Sequence, residues 1–438
     1  MSAKQSIPRS SIEGVGRYED REVELSGWLY NLRSKGKIHF LQLRDGTGRI
    51  QAVAVRDECP PECFTLIESL KMEASLRVRG RVRRDERAPS GYELAVSSLE
   101  VLQNPVEDYP IAKKEHGIDF LMENRHLWLR SSLPGAMLRV RHRAVAALRE
   151  FFNSRGFILI DTPILTGSIG ESSSSLFSVE YFDLGAAYLA QTGQLYLEAA
   201  CMAFGKVYNF GPTFRAEKSK TRRHLSEFWM LEAEVAYQDH EGNLELQEQM
   251  ISALVAEVLS SCGKELETLG RDTAALSRIT PPFPRLEYGE AVERLQGMGR
   301  AIQWGEDLGA EEETALAAAY DKPLFVTHYP KKAKAFYMKE NPEDPQTVLC
   351  ADLLAPEGYG EIIGGSQRED DHDRLQRRIR EEKLPEEAYG WYLELRRFGS
   401  VPHAGFGLGL ERTVTWLCGS HHVREAIPFP RTISRIYP

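Results

Sequence analysis

The sequence predicts an α/β (α+β) chain in more than one part, a small closed β-barrel followed by a larger domain in which strands and helices alternate. Three observations carry this reading. Between Glu22 and Val101 apolar residues recur at every second position in short runs, the period of half-buried strands. From Leu133 onward the spacing changes to three and four residues, the period of helices, with strands interleaved. At 438 residues, with 42% hydrophobic and 27% charged side chains, the chain has globular composition and is too long for one ordinary domain.

The first strand is read at Val23 to Leu29 and the second at His39 to Arg44. Asp45-Gly46-Thr47-Gly48 is a hairpin turn leading into Ile50 to Val55. A helical stretch follows at Glu62 to Leu70. Ser75 to Val82 and Tyr92 to Val101 then supply two more strands, parted by the turn-rich Pro89-Ser90-Gly91. Five short strands with one helix suit a closed barrel of OB type over residues 1–103, a fold that binds nucleic acid on one face. Residues 104–130, with Pro105 and Pro110, read as a hinge, and 131–438 as the second domain. There, Ala136 to Arg155 is a helix stopped by Gly156, Phe157 to Ile160 a strand running to Pro163, and Glu241 to Leu269 one long helix. Residues of about 285–346 read as a mixed insertion.

Net charge is −9, but a phosphate backbone senses a local patch more than a sum. Arg77, Arg79, Arg81, Arg83 and Arg84 stand close together, and Arg33, Lys35 and Lys37 form an earlier cluster. Such a run is either a charged strand face or a phosphate-contacting one. The six cysteines are scattered, as expected of reduced thiols; Cys59 and Cys63 read as an incidental pair rather than a metal site. No apolar run approaches the roughly 20 residues of a membrane span, and Met1 to Ser10 lacks the apolar core of a secretory signal. A soluble, cytoplasmic protein with no membrane partner is expected.

Three stretches carry chemistry. Phe214-Arg215-Ala216-Glu217 follows a strand and precedes Arg222-Arg223-His224-Leu225-Ser226-Glu227-Phe228; an arginine there can clamp a phosphate and a carboxylate together. Taken alone, these four common residues read sooner as a surface salt-bridged turn than as a site. Gly405 to Arg412 is a glycine-rich strand entering a helix, where small residues let a flat base pack on the backbone and Arg412 stack over it. It lacks the third glycine of a dinucleotide fingerprint. Asp352 and Glu361 flank a short turn on neighbouring strands, an arrangement able to hold Mg²⁺ against phosphates, and Gly364-Gly365-Ser366-Gln367-Arg368 follows with a planar cation.

Together these stretches resemble the class II aminoacyl-tRNA synthetases. FRAE with RRH and EF resembles their motif 2, GFGLGLER their motif 3, and GFILIDTPIL, ending at Pro163, their motif 1. An OB barrel ahead of the three motifs resembles subclass IIb, which handles Asp, Asn and Lys. Within it, GEIIGGSQRE, VPHAGFG, IPFPR and WGEDLG resemble the asparaginyl members. The stretch Gln191 to Leu197 is similar to aspartyl members except that those carry a lysine at the position of Leu197. A carboxylate substrate needs that cation and a carboxamide does not.

The resemblance implies an ATP-dependent ligase that forms an asparaginyl-adenylate and passes L-asparagine to the terminal 3′-hydroxyl of tRNA(Asn). Arg215 is expected to bridge the α-phosphate and the substrate carboxylate, and Glu217 to lie by the adenine amino group. Phe228 and Arg412 are expected to sandwich adenine, with His224 and Arg412 reaching the γ-phosphate and Gly409 lying against the nucleotide. Asp352 and Glu361 are expected to hold Mg²⁺. Glu171 and Gln194 look placed to bind the α-amino group, and Arg368 to donate to the side-chain oxygen. Glu227 is expected either to accept from the amide NH₂ or only to orient Arg215 or Arg368. In the barrel, Phe40 matches a base-stacking aromatic, Gln51 the reader of the middle anticodon uridine, and Arg33 a neighbouring contact. Motif 1 implies a homodimer. The alternatives are an archaeal-type aspartyl enzyme that charges both tRNAs, a tRNA-independent amide-forming paralogue, and a non-catalytic RNA-binding paralogue. Leu197, the barrel, and the retained Arg215, Arg412 and acid pair argue against them in turn.

Overall fold

A computed structural model of the chain describes residues 7–88, 90–112, 114–167 and 175–438. It divides into two compact units, 1–117 and 118–438.

The first unit is a closed barrel of β1 (Glu22–Lys35), β2 (Ile38–Arg44), β3 (Arg49–Val55), β4 (Ser75–Arg84) and β5 (Tyr92–Gln103), in the order β1-β2-β3-β5-β4. β4 pairs with β1 and shuts the sheet, so no strand edge is left open. Strict alternation in β2 and β3 sends Leu41, Leu43, Ile50 and Ala52 inward. The helix Pro61–Glu68 plugs the core with Phe64 and Ile67. The arginine run is partly neutralised within the barrel. Arg79 donates from Nε to the buried Glu24 at 2.8 Å, and Arg77 lies 2.7 Å from Glu100.

The second unit is built on an eight-stranded sheet. Its strands are β6 (Ile158–Leu159), β10 (Lys206–Phe214), β11 (Glu227–Ala236), β12 (Arg285–Glu287), β13 (Leu324–Thr327), β14 (Cys350–Ala355), β15 (Gly360–Gln367) and β16 (His403–Gly409). They run in the order β12-β13-β14-β15-β16-β11-β10-β6, antiparallel from β13 to β10 and parallel at both ends. A smaller sheet joins β7 (Leu165–Thr166), β8 (Ser178–Glu180) and β9 (Ala186–Leu189). Helices Ser132–Asn153 and His240–Ser261 cover one face, burying Leu148, Phe152, Leu254 and Val258 against Leu231, Ala233 and Leu408.

Three boundaries differ from the sequence reading. The stretch read as a hinge is divided at Gly117: its second half is helical at Ile118–Glu123 and Arg125–Trp128 and belongs to the second unit. Arg125, 1% exposed, donates to the backbone carbonyls of Glu425, Ile427 and Pro428. The single long helix is two, His240–Ser261 and Gly263–Leu269, parted at Cys262. The stretch read as an insertion gives the main sheet its outer strands β12 and β13, so it is part of the framework.

Candidate active site

The face of the sheet away from the long helices opens into a cavity of about 330 Å³, within the range of small-ligand sites. In β11, side chains alternate between the two faces. Leu231, Ala233 and Val235 enter the helical core, whereas Phe228, Met230, Glu232 and Glu234 line the cavity. The same rule sends Ala351 and Leu353 of β14 to the core and Asp352 to the cavity. In β15 an extra residue, Ile362, shifts the register against β14, so Glu361 and Gly364 both reach the cavity although three residues apart.

Ten of the residues singled out in the sequence line this one space: Gln194, Arg215, Glu217, His224, Phe228, Asp352, Glu361, Arg368, Gly409 and Arg412. Arg215 follows β10 directly, its guanidinium 5.5 Å from the centre of the Phe228 ring. His224 lies 3.5 Å from Glu217. Burial lowers the pKa of its imidazole, and the nearby Arg412 adds to this, so the neutral ring is favoured.

Asp352 and Glu361 converge beside Gly364, where a Cβ would sit 3.1 Å from Glu361 Oε1 and 3.4 Å from Asp352 Oδ1. Arg412 Nη1 lies 2.7 Å from Glu361, and Lys334 Nζ 2.8 Å from Asp352 and 3.3 Å from Asp307. Burial raises the carboxyl of Asp352, while burial opposes but Arg412 prevails in holding Glu361 down. Two hard oxygen donors lining the same cavity fit Mg²⁺, which is held by one or two carboxylates and the phosphates it serves.

At the opposite end, Arg368 is 3% exposed and meets Glu234 through a fork, with Nε 3.1 and 3.2 Å from the two carboxylate oxygens. Its Nη1 donates to Ser366 at 2.8 Å. Gly405 stands behind the pair, where any Cβ would overlap the carboxyl of Glu234.

The structure does not bring Glu227 to this place. It begins β11, opposite Phe214, roughly 23 Å along the strand from Glu234 at about 3.3 Å per residue. It also has the parity of the helix-facing residues. Leu197 is fully buried with Cys201 and Val207 and is not among the residues lining the cavity. The amino-acid argument built on it therefore passes to Arg368 and Glu234. Glu171 lies outside the described residues.

Sequence reasoning missed Glu234, Lys334 and the Arg223–Glu313 pair. For Glu234 the signal was present: Phe228, read as a site residue, fixes which parity of β11 faces the ligand.

On the barrel, Phe40 and Gln51 are half-buried on the outer face, and Arg33 is the cross-strand partner of Phe40. Gln51 Nε2 donates to Glu93 at 2.5 Å.

Residues 117–433 match the family model described as tRNA synthetases class II (D, K and N), and 23–102 match an OB-fold nucleic acid binding domain. The asparagine–tRNA ligase of Thermus thermophilus is 57% identical over 437 residues, 98% of this chain and 100% of that one. That of Chloroflexus aurantiacus is 54% identical, covering 99% of each. Asparaginyl-tRNA synthetase from Pyrococcus horikoshii, solved with asparaginyl-adenylate, superposes with a TM-score of 0.93 at 46% identity, over 96% of this chain and 97% of that one. The chain belongs to the asparagine–tRNA ligase family. An aspartyl-tRNA synthetase from Entamoeba histolytica superposes less closely, with a TM-score of 0.83 at 27% identity over 99% of this chain and 94% of that one. The aspartyl alternative is thus not the better supported. Among the described residues, no helix is long and apolar enough to cross a membrane.

Proposed function

We propose that the cavity activates L-asparagine with ATP to an asparaginyl-adenylate, releasing pyrophosphate, and passes the asparaginyl group to tRNA(Asn). The observation that carries this is the Arg368–Glu234 fork in the same cavity as Arg215, Arg412 and the acid pair.

A carboxamide presents one acceptor and one NH₂. Arg368 donates to the oxygen and Glu234 accepts from the nitrogen. Aspartate would bring a second carboxylate against Glu234 in a site with little water, at a cost of a buried like-charge contact. Gln194 receives the α-amino group. Arg215 holds the substrate carboxylate and the α-phosphate in line, so attack by the carboxylate oxygen on phosphorus is prepaid in entropy. Phe228 and Arg412 pack the adenine, Glu217 takes its amino group, and Gly409 leaves room for the nucleotide. His224 and Arg412 reach the γ-phosphate, with Arg412 and Lys334 released from their carboxylates. Asp352 and Glu361 would hold Mg²⁺, which would supply positive charge to the phosphates. Catalysis is positioning and charge stabilisation without a protein nucleophile.

In the barrel, Phe40 stacks an anticodon base while Gln51 and Arg33 contact its neighbours. The chain acts as a homodimer in the cytoplasm. Support comes from motif 1, whose neighbourhood exposes Ile158, Leu159, Ile164 and Leu165 at about two-fifths or more, with Phe182 and Leu184 at 83% and 82%. Sedimentation of the purified chain should give twice the monomer mass.

Amino-acid-dependent ATP–pyrophosphate exchange tests the reading, followed by charging of the two tRNAs. Exchange with asparagine and not aspartate is expected. The reverse preference would overturn the substrate assignment.

A further inference from the structure

Beneath the amino-acid end of the cavity lies a buried polar hub centred on Glu198, which does not line the cavity. Its side chain is fully buried. Its oxygens accept from four groups on three elements: Gln194 Nε2 at 3.1 Å, Tyr392 Oη at 2.7 and 2.8 Å, Arg396 Nη2 at 2.6 Å, and His403 Nε2 at 3.0 Å. Gln194 and Glu198 share the helix Gln194–Phe204, Tyr392 and Arg396 the helix Gly390–Arg397, and His403 opens β16. Four donors fill the lone-pair sites of one carboxylate. Burial opposes its ionisation, but Arg396 and His403 outweigh burial and hold it charged.

A carboxylate without a proton can only accept. Gln194 must therefore offer its NH₂ to Glu198, which turns its carbonyl oxygen the other way, toward the cavity it lines. An ammonium carries three donors and no acceptor, so an outward carbonyl suits it and an outward NH₂ repels it. The hub also reaches the reader of the side chain. Arg396 Nε donates to the carbonyl of Glu369 at 2.9 Å, and the amide of Arg368 donates to the carbonyl of His403 at 2.9 Å.

We infer that Glu198 is a positioning residue for amino-acid selection, fixing the amide of Gln194 with its oxygen toward the substrate ammonium and anchoring the backbone behind Arg368. This rests on the proposed asparagine activation. It predicts that the carboxylate matters for its acceptor-only character as well as for its charge.

The test is steady-state ATP–pyrophosphate exchange by wild type, Glu198→Gln, and the swap Glu198→Gln with Gln194→Glu. Glu198→Gln lets the amide of Gln194 turn over. The KM for asparagine should rise about tenfold or more, with the KM for ATP within about twofold. The swap restores an acceptor facing the substrate and a donor behind it, and keeps one carboxylate in the hub. It should recover most of the loss. An unchanged asparagine KM in Glu198→Gln, or a swap no better than that single variant, overturns the inference. Should Glu198→Gln fail to fold by circular dichroism, Glu198→Asp carries the test, because it keeps the charge and withdraws the acceptor. Its asparagine KM must then rise selectively, and equal rises in both KM values would count against the role. Absence of asparagine-dependent exchange in wild type would instead sink the underlying reading.

Discussion

Arg368 and Glu234 form a forked ion pair at the floor of the cavity, with the arginine 3% and the glutamate 1% exposed. Replacing Glu234 with Gln keeps the shape and removes the fixed acceptor. The kcat/KM for asparagine in pyrophosphate exchange should fall about 100-fold, and the preference over aspartate should shrink with it. Glu227→Gln should leave that preference unchanged.

Gly405 is the residue on which this pair rests. A methyl group there would overlap both the carboxyl of Glu234 and the carbonyl of Ala233. Gly405→Ala should lower unfolding stability by about 1–3 kcal/mol, measured by denaturant titration, and raise the asparagine KM before that of ATP.

Phe40 gives a test confined to the barrel. Phe40→Ala should raise the KM for tRNA(Asn) about tenfold or more, as expected for one lost stacking contact. Pyrophosphate exchange without tRNA should be unaffected, since this measures the cavity alone.

His240 sets a pH limit on the fold. It is 6% exposed, at the start of a helix, and burial followed by the nearby His328 depresses its pKa to about 4. A base whose folded pKa lies below its unfolded value of about 6.5 favours the folded state fully above pH 6.5. That contribution is lost as pH falls toward 4. Wild type should therefore lose up to about 3 kcal/mol from this ring between pH 6.5 and 4, and His240→Phe should show a shallower decline by the same denaturant measurement.

Much of this architecture is legible in the sequence because strand alternation is a local property. The outward set of Phe40 follows from its place between His39 and Leu41, and the barrel follows from five such strands. The cavity lining was legible where a motif holds chemistry within a few residues, as around Arg215 and Arg412. Glu227 stands beside Phe228 in the sequence but does not line the cavity with it, because neighbouring strand residues point oppositely. Lys334 and Glu198 were invisible for a different reason. Lys334 meets Asp352 eighteen positions away, and Glu198 meets Arg396 across 198. Such partnerships depend on sheet order, which no local spacing encodes. Strands are expected within 285–346, but that β12 and β13 extend the main sheet is not legible, since they are short and join it only by pairing.

The three carbonyls that receive Arg125 bear on how the chain is made. Their residues lie about 300 positions downstream of that arginine. During synthesis the guanidinium emerges first and waits for acceptors translated about 300 residues later. A ribosome-held chain stopped before Glu425 has no means of satisfying it in the native way. Completion of the second unit therefore waits for Glu425 to Pro428, and chains truncated before Glu425 should combine a folded barrel with a protease-sensitive remainder.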